Sequence, residues 1–298
     1  MRRRFSSRAS SIARISAGER CTAVPELPET ETIARDLDRQ LPGACIAGVR
    51  VTRPDVLREI EAPELARRMT GATIGRCWRR AKLVVLDLSS GDRLVVQPRF
   101  TGALLLDRGQ LPERERRYSA VAIRLADGTV LHYRDIRRLG TVTLMSRERW
   151  TACTSALGAE PLDPAFSPTH LSRQMRTSKQ AVKKLLMDQR RIAGVGNIYA
   201  SEALWRAGLD PSRQGRTLTT PEIERLHAAV VSVLHESIAE RGTSFRDYRD
   251  ADGQPGRFAS RLAVYGRGGM PCLRCGHRLI DTPAIDGRTT VFCAQCQR

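Results

Sequence analysis

Short apolar runs bounded by turn sequences characterise the first half of the chain. Ser-Gly-Asp at 90–92 and Asp-Gly at 127–128 are typical of tight reversals between strands. The runs occupy residues 46–51, 82–88, 93–97, 120–125, 130–133 and 141–145. Ahead of them, residues 29–41 carry apolar side chains every four positions, which predicts an amphipathic helix. We therefore expect a β-rich domain with a leading helix, most simply a sandwich.

Helical periodicity replaces this pattern after residues 158–164, a segment rich in Pro and Gly that we interpret as a linker. Apolar positions three and four apart predict helices over residues 177–189, 198–207 and 221–241. A glycine-punctuated turn at 193–197 separates the first two. Residues 241–258 are polar and contain glycine, so we expect a mobile loop there.

Charge and hydropathy narrow the range of partners. Lys and Arg total 50 against 32 Asp and Glu, a formal net charge of +18. Such an excess favours a polyanionic partner, most simply nucleic acid, although an Arg-rich soluble protein without one has the same composition. No apolar stretch approaches the roughly 20 residues that a membrane span needs, so we expect no membrane partner.

The cysteines fall into two groups. Four are scattered and have the spacing of ordinary thiols, whereas the other four form two C-x-x-C pairs near the C-terminus: Cys272, Cys275, Cys293 and Cys296. Two such pairs predict one tetrahedral, structural Zn²⁺, because four protein ligands leave no open position for chemistry. Disulfides or a redox pair are the alternative. Asp286-Gly287, between the pairs, predicts a hairpin turn.

Several strings carry a resemblance to a known family. They are PELPETET from Pro25, RAK ending at Lys82, DIRRLG from Asp135 and GVGNIYASE from Gly194. With the terminal cysteines, the chain closely resembles the formamidopyrimidine-DNA glycosylase family, in the family's order and spacing from Pro25 to the last residue. The resemblance implies an α+β multidomain fold: a β-sandwich with flanking helices, a helix–two-turn–helix domain and a C-terminal zinc-finger β-hairpin. The expected boundaries are 1–24 for an extension, 25–157 for the catalytic sandwich, 158–164 for the linker, 165–260 for the helical DNA-binding domain and 261–298 for the zinc finger.

The resemblance also implies an activity. Members of this family are bifunctional: they excise oxidised purines such as 8-oxoguanine and formamidopyrimidines, and then cleave the abasic site by β,δ-elimination. The implied partner is damaged double-stranded DNA, bound by a monomer in the bacterial cytoplasm. Two alternatives stay open: an endonuclease VIII-like preference for oxidised pyrimidines, and a catalytically inactive zinc-finger protein that only binds damaged DNA.

Five residues receive roles by resemblance. Pro25 is the nucleophile and Schiff-base former, Glu26 is the general acid and base, and Lys82, Asn197 and Arg288 hold phosphates. An amine suits the task because its iminium ion is an electron sink, and an α-amino group, with a pKa of about 8, is partly neutral at pH 7. Each residue also has an ordinary interpretation: a helix lead-in for the first two, a solvated strand end for Lys82, a helix cap for Asn197, and an exposed hairpin residue for Arg288.

The chain departs from the family where side chains fill the gap left by an extruded base. Arg137 matches the family's arginine, but Phe100 stands where the family has Met, and Leu139 where it has Phe. Both remain apolar wedges. Gln97 replaces a histidine that contacts phosphate in the family, and an amide can still donate a hydrogen bond. These exchanges affect opposite-base discrimination and lesion preference rather than the type of reaction.

The proposed nucleophile lies inside the chain as written. An internal proline nitrogen is an amide and cannot attack C1′, so we expect the active protein to begin at Pro25 without residues 1–24. Val24 stands where relatives have the initiator Met, and a GUG codon is read as Met when it initiates. A cleaved organelle-targeting segment, Arg- and Ser-rich, and a retained tail that silences the enzyme are the alternatives.

Overall fold

A computed structural model describes residues 25–298, and the predictions made for residues 1–24 lie outside the described residues. The α+β multidomain fold class is confirmed. An N-terminal sandwich of two sheets is followed by a helical domain and a small C-terminal hairpin module that carries the paired cysteines. Among these residues, no helix combines the length and apolar character needed to cross a bilayer.

The leading helix, α1 (Leu27–Gln40), begins two residues before the predicted span. Glu26 is its N-cap residue, and the Glu26 backbone N–H donates to Glu29 Oε2 at 2.8 Å. This contact satisfies a donor that the first turn leaves free. Ile33 and Leu37 are fully buried against the sandwich, which explains their spacing in the sequence. The helix therefore starts at the proposed catalytic residues.

Two antiparallel four-stranded sheets form the sandwich, in the orders β1-β6-β7-β5 and β2-β3-β4-β8. The strands are β1 Ile46–Val51, β2 Ile74–Arg80, β3 Leu83–Leu88, β4 Arg93–Gln97, β5 Gly102–Asp107, β6 Ser119–Leu125, β7 Val130–Asp135 and β8 Thr141–Met145. Helices α2 (Ala62–Met69) and α3 (Glu113–Arg116) lie in the connections. All six predicted runs are strands, three with the predicted bounds. β2 and β5 were not predicted.

One end of the sandwich, which we call the rim, carries the turns that contain several of the predicted site residues. At this end β3, β5, β6 and β8 begin and β1, β4 and β7 end, as the antiparallel registers require. Residues 98–101 join β4 to β5, and residues 136–140 join β7 to β8, so both turns cross between the sheets there. The turn before β3 places Lys82 on the same rim.

Five helices follow: α4 (Arg147–Thr154), α5 (Pro168–Met175), α6 (Val182–Met187), α7 (Asn197–Ala207) and α8 (Thr220–Ala239). Helix α6 is much shorter than the predicted 177–189, because Ala181 pairs with Gln214 as an isolated bridge and the Val182 N–H donates to Arg213 O at 2.7 Å. The last strands, β9 (Ile280–Thr282) and β10 (Thr290–Phe292), form the hairpin.

Residues 241–258 form a loop, but the expected mobility is at odds with its packing. Tyr248 and Asp250 are buried, and Arg241 donates to Asp250 Oδ2 at 2.7 Å and to Asp36 Oδ2 at 2.6 Å. These contacts fix the loop to α1. Few apolar contacts and exposed hydrogen bonds mark mobile segments; Tyr248 and Asp250 have the opposite features, whereas Phe245 in the same loop is 50% exposed.

Candidate active site and metal centre

The glycine-containing turn before α7 docks onto the start of α1. The Leu27 N–H donates to Gly194 O at 3.0 Å, and the Ile198 N–H donates to Glu26 Oε1 at 3.0 Å. Gln189 holds the turn from behind, because its Oε1 accepts the Gly194 N–H at 2.8 Å. Residues about 170 positions apart in sequence thus form one site.

Gly196 separates two charged groups by the space of one missing β-carbon. A β-carbon on Gly196 would lie 2.3 Å from Glu26 Cδ and 2.3 Å from Lys82 Nζ. Its φ of −135° is open to any residue. The glycine is therefore required by the close approach of Glu26 and Lys82 rather than by backbone geometry.

Burial dominates the acid–base properties of this pair. It raises the pKa of Glu26 above its ordinary value, although the neighbouring Lys82 and the Ile198 N–H act in the opposite direction. Burial lowers the pKa of Lys82, opposed by Glu26 and reinforced by Arg288. A carboxyl group that keeps its proton nearer neutral pH is suited to general acid catalysis.

The turn that presents Lys82 is held by a carboxylate from the linker. Glu160 accepts from Arg79 Nη1 at 2.5 Å, from Arg80 Nη1 at 2.6 Å and from the Ala81 N–H at 2.7 Å. Ala81 has a φ of 52°, a strained value for a residue with a side chain. The RAK string therefore encodes a fixed support for Lys82.

Glu29, which sequence reasoning placed only within the family string, joins three parts of the molecule. Its carboxylate accepts from the Tyr199 hydroxyl on α7, from the Thr243 N–H at 2.7 Å and from the Glu26 N–H at 2.8 Å. Burial raises the pKa of Glu29 to about 7. This residue positions Glu26 through the Glu26 N–H.

Asn197, Arg288 and Lys183 converge beside Glu26, on the side where the hairpin module meets the helical domain. Asn197 is the first residue of α7, after the N-cap Gly196, and its Nδ2 donates to Thr289 O at 3.0 Å. Arg288 Nη1 lies 3.9 Å from Met187 Sδ. The positive charge of Arg288 acts on both lysines.

Lys183 was not predicted as a site residue. It is fully buried on α6, donates to Thr290 Oγ1 at 2.6 Å, and lies 3.6 Å from Asp286 Oδ1. Burial lowers the pKa of Lys183 to about 8. Nothing in the local sequence indicates that a hairpin about a hundred residues later supplies its partners.

Unpartnered polar atoms mark the same place. Within residues 25–298, four buried side-chain oxygen or nitrogen atoms lack a hydrogen-bond partner, and three belong here: Glu26 Oε2, Asn197 Oδ1 and Asp286 Oδ2. Buried polar atoms are nearly always satisfied in folded proteins. Their concentration indicates a site that receives a polar ligand.

The predicted wedge residues form a second cluster on the rim. Phe100 lies in the turn 98–101, and Arg137 and Leu139 lie in the turn 136–140; all three are half-buried. The Arg137 guanidinium carbon stands 4.9 Å from the centroid of the Phe100 ring. Gln97, the last residue of β4, packs against the second turn, since a β-carbon on Gly140 would lie 2.6 Å from Gln97 O.

Buried polar residues hold these two turns together. Asp135 accepts hydrogen bonds from Thr101 Oγ1 and, at 2.8 Å, from the Gly140 N–H. Thr101 Oγ1 in turn accepts the Arg137 N–H at 2.9 Å. Arg134, also buried, donates to Thr101 O at 2.7 Å and to Asp247 O at 3.3 Å. Sequence reasoning missed Thr101 and Arg134, because their importance depends on contacts between distant turns.

The C-terminal cysteines form one site suited to zinc. The ligand atoms of Cys272, Cys275, Cys293 and Cys296 all lie within 4.8 Å of one another. A tetrahedral ion with Zn–S bonds of about 2.3 Å needs sulfur atoms about 3.8 Å apart, so small side-chain adjustments accommodate it. The four residues fit one structural Zn²⁺, as predicted.

Two buried polar side chains dock this module onto the helical domain. Glu202 on α7 accepts the N–H groups of Ala263, Val264 and Tyr265, each at 2.9 Å. Gln297 accepts the Cys293 N–H at 2.9 Å and donates to Leu209 O at 2.9 Å. The hairpin that carries Arg288 is therefore held both by the cysteine site and by α7.

Comparison with known proteins gives consistent matches along the chain. Family descriptions match in three segments: the formamidopyrimidine-DNA glycosylase N-terminal domain at residues 24–142, its H2TH domain at 157–248, and a zinc finger found in FPG and IleRS at 269–298. The formamidopyrimidine-DNA glycosylase of Pelotomaculum thermopropionicum is 40% identical, over 92% of this chain and 99% of its own. That of Thermomicrobium roseum is 41% identical, with the same two coverages.

Solved structures agree with these matches. The MutM (Fpg) protein of Thermus thermophilus superimposes with a TM-score of 0.79 at 36% identity, covering 92% of this chain and 98% of that one. Lactococcus lactis Fpg in complex with DNA containing an abasic site has a TM-score of 0.83 at 31% identity, covering 92% and 99%.

Proposed function

The chain belongs to the formamidopyrimidine-DNA glycosylase family, and from this premise we propose that it excises oxidised purines from DNA and then cleaves the backbone at the abasic site. Damaged double-stranded DNA is the partner, and the protein acts as a monomer. The relatives' name and the DNA complexes of Lactococcus lactis Fpg support the substrate class.

The observation that carries the proposal is the buried carboxyl group of Glu26. It directly follows Pro25 in the chain, its Oε2 has no partner among the described residues, and burial raises its pKa. A structural carboxylate would be fully paired at such a position. A protonated acid with one free oxygen beside an amine is the pair that base excision with Schiff-base formation requires.

The reaction follows from these two groups. The neutral Pro25 amine attacks C1′, a new N–C1′ bond forms as the bond to the damaged base breaks, and Glu26 gives its proton to the departing base. The resulting carboxylate takes the proton of the Pro25 nitrogen and delivers it to O4′ as the sugar ring opens. The product is an iminium ion between Pro25 and C1′.

Strand cleavage uses the iminium ion as an electron sink. It acidifies the C2′ hydrogen, whose removal expels the 3′ phosphate, and a second elimination expels the 5′ phosphate. Water then hydrolyses the adduct and regenerates the amine. Lys82, Asn197 and Arg288 hold the phosphates beside the lesion, while Phe100, Leu139 and Arg137 occupy the gap left by the extruded base.

Borohydride trapping tests the nucleophile. A protein that begins at Pro25 should become covalently linked to a duplex with an abasic site, because borohydride reduces the iminium ion to a stable amine. The matched control retains residues 1–24, which converts the Pro25 nitrogen into an amide and moves the free α-amine far along the chain, and it should abolish trapping. Equal trapping of both proteins would exclude Pro25 as nucleophile, and trapping of neither would leave only a DNA-binding protein.

Lesion preference needs a separate measurement, because Phe100 and Leu139 depart from the family pattern. We expect single-turnover excision of 8-oxoguanine and formamidopyrimidines to be faster than excision of oxidised pyrimidines from otherwise identical duplexes. The reverse order would assign the protein an endonuclease VIII-like specificity while leaving the Pro25 chemistry in place.

A further inference from the structure

A basic groove on the rim has no part in the chemistry described above. It has a volume of about 530 Å³ and is lined by Arg53, Arg117, Tyr118, Asp135, Ile136 and Arg138. Arg53 and Arg117 are exposed, and Ile136 is an exposed apolar residue, with 38% of its surface accessible. Positive charge next to an exposed apolar side chain suits an anionic ligand that also has an apolar part.

The strand order places the groove beside the wedge residues, with which it shares the turn 136–140. Arg53 follows the end of β1, Arg117 and Tyr118 precede the start of β6, and Ile136 follows the end of β7. In the sheet order β1-β6-β7-β5, the groove therefore covers the first three strand ends. The wedge turns lie at the β7 and β5 ends.

The groove also lies apart from the phosphate-holding residues. Lys82 stands at the start of β3, in the other sheet, next to the helical domain and the hairpin module. Along the rim, the sequence of features is Lys82 with its basic neighbours, then Phe100 and Arg137, then the groove. If the damaged strand is held at Lys82 and the wedge fills the gap in the duplex, the opposite strand must pass over the groove.

The groove chemistry fits a sugar–phosphate backbone. Its three arginines face few competing anions: Asp55 pairs with Arg138 at 3.1 Å, and the Asp135 carboxylate is already occupied by Thr101, Tyr133 and Gly140. The Arg117 guanidinium carbon lies 4.6 Å from the centroid of the Tyr118 ring, which orients it without neutralising it. Guanidinium groups bind phosphate oxygens with two hydrogen bonds, and Ile136 offers an apolar surface to a deoxyribose.

We infer that this groove binds the backbone of the undamaged strand opposite the lesion, with Arg53 and Arg117 each contacting one phosphate. The inference rests on the proposed function, because it takes the damaged strand to lie at Lys82. The groove is then a second binding site for the DNA backbone, which holds the complementary strand while the lesion is turned out of the duplex.

The first test is the salt dependence of equilibrium binding of the full chain to a duplex carrying a non-cleavable abasic analogue. Arg53→Gln with Arg117→Gln should make the slope of log K against log salt shallower by about 1.8, the value for two lost phosphate contacts. The matched control is Arg67→Gln with Arg124→Gln, which removes two exposed charges elsewhere on the sandwich. Arg124 lies at the far end of β6. A slope loss equal to that of the control would overturn the inference.

The second test identifies the strand. Uncharged methylphosphonate linkages are placed around the base opposite the lesion, or at the same distances in the damaged strand. On the duplex modified opposite the lesion, the groove variant and the unmodified protein should have the same salt slope, because the phosphates that the arginines would contact are already uncharged. On the duplex modified in the damaged strand, the decrease in slope caused by the substitutions should add to the decrease caused by the linkages. Additive losses on both duplexes would overturn the assignment to the undamaged strand. Failure of the proposed function shows separately, as the absence of borohydride trapping by the protein that begins at Pro25.

Discussion

At the scale of single residues, the site depends on the absence of one side chain. Gly196→Ala would place a methyl group 2.3 Å from both Glu26 Cδ and Lys82 Nζ, so one of these groups must move. We therefore expect the rates of excision and abasic-site cleavage to fall by at least about 100-fold, as for other misplaced catalytic groups. The change in Tm should be small, because the backbone at this position accepts alanine. Rates and thermal unfolding measure the two effects.

Gly48→Ala is the matched control, since a β-carbon there would meet only Arg124 Nη2, at 3.6 Å. It should retain activity. If Gly196→Ala is as active as this control, the close approach of Glu26 and Lys82 has no role in the reaction.

Glu29 contributes to the stability of the folded state, and this contribution depends on pH. Its pKa is raised from 4.5 to about 7, mainly by burial. A raised pKa stabilises the folded state fully below about pH 4.5, and this contribution is lost as the pH rises to about 7. The loss is at most roughly 3 kcal/mol. Glu29→Gln cannot titrate, so the difference in unfolding free energy between the two proteins should shift in favour of the variant over this window and stay constant above it.

Denaturant unfolding at several pH values between 4.5 and 8 measures this difference. The variant also loses the hydrogen bond from the Glu26 N–H, which changes its unfolding free energy by the same amount at every pH. The informative quantity is therefore how the difference in unfolding free energy between the two proteins changes with pH. A difference that is constant across the window would mean that Glu29 titrates at its ordinary pKa.

At the scale of secondary-structure elements, the wedge turns combine predictable and unpredictable features. The family resemblance predicts Phe100 and Leu139 as wedge residues, and the structure brings their turns together on the rim. Restoring the family pattern, Phe100→Met with Leu139→Phe, should change opposite-base preference more than cleavage of a plain abasic site. The reason is that only base excision requires the duplex gap to be filled selectively. Parallel changes in the two activities would assign the pair a structural role.

Two strands, β2 and β5, were not predicted, and the reasons differ. β2 reads IGRCWRR, and only Ile74 and Cys77 in it are buried, so its arginines interrupt the apolar pattern of a strand that ends at Arg80, just before Lys82. β5 begins at Gly102, where a β-carbon would lie 2.2 Å from Pro98 O, and a glycine beside a turn is weak evidence for a strand. Only in β2 do tertiary contacts outweigh the local pattern, since β5 has the continuous apolar run Ala103–Leu106.

Removal of zinc tests whether the C-terminal hairpin takes part in DNA binding. Its core is small, centred on Val264, Leu279 and Val291 with the buried cysteines, so without the metal it should not stay ordered. Chelation should release one zinc per chain and weaken binding to damaged duplexes, because Arg288 and the Thr289 carbonyl that positions Asn197 lie on it. Metal analysis and binding titrations measure both, and added zinc should restore affinity. Undiminished affinity without zinc would exclude Arg288 as a phosphate ligand.

At the scale of the whole molecule, α1 connects the sandwich to the helical domain. Its first residues contact the turn before α7, and Asp36, later in the helix, pairs with Arg241 beyond α8. The family resemblance led to Pro25, Glu26, Lys82, Asn197 and Arg288 from scattered strings, and the structure brings Glu26, Lys82, Asn197 and Arg288 together. Lys183 and Arg134 were not predicted, because the atoms that they contact belong to segments far away in the sequence: Thr290 for Lys183, and Thr101 and Asp247 for Arg134.

The overall net charge and a small set of specific phosphate contacts predict different salt dependences of DNA binding. If the formal charge of +18 acted diffusely, the salt slope would be far steeper than a few contacts allow. Counterion release depends instead on the phosphates that are neutralised in the complex, and about five contacts imply a log–log slope near −4.5. Arg288→Gln should make this slope shallower by about one and weaken all duplexes similarly, whereas Arg67→Gln, on the exposed face of α2, should leave it unchanged. A slope that responds equally to both substitutions would mean that the positive surface, rather than the residues gathered around Glu26, governs affinity.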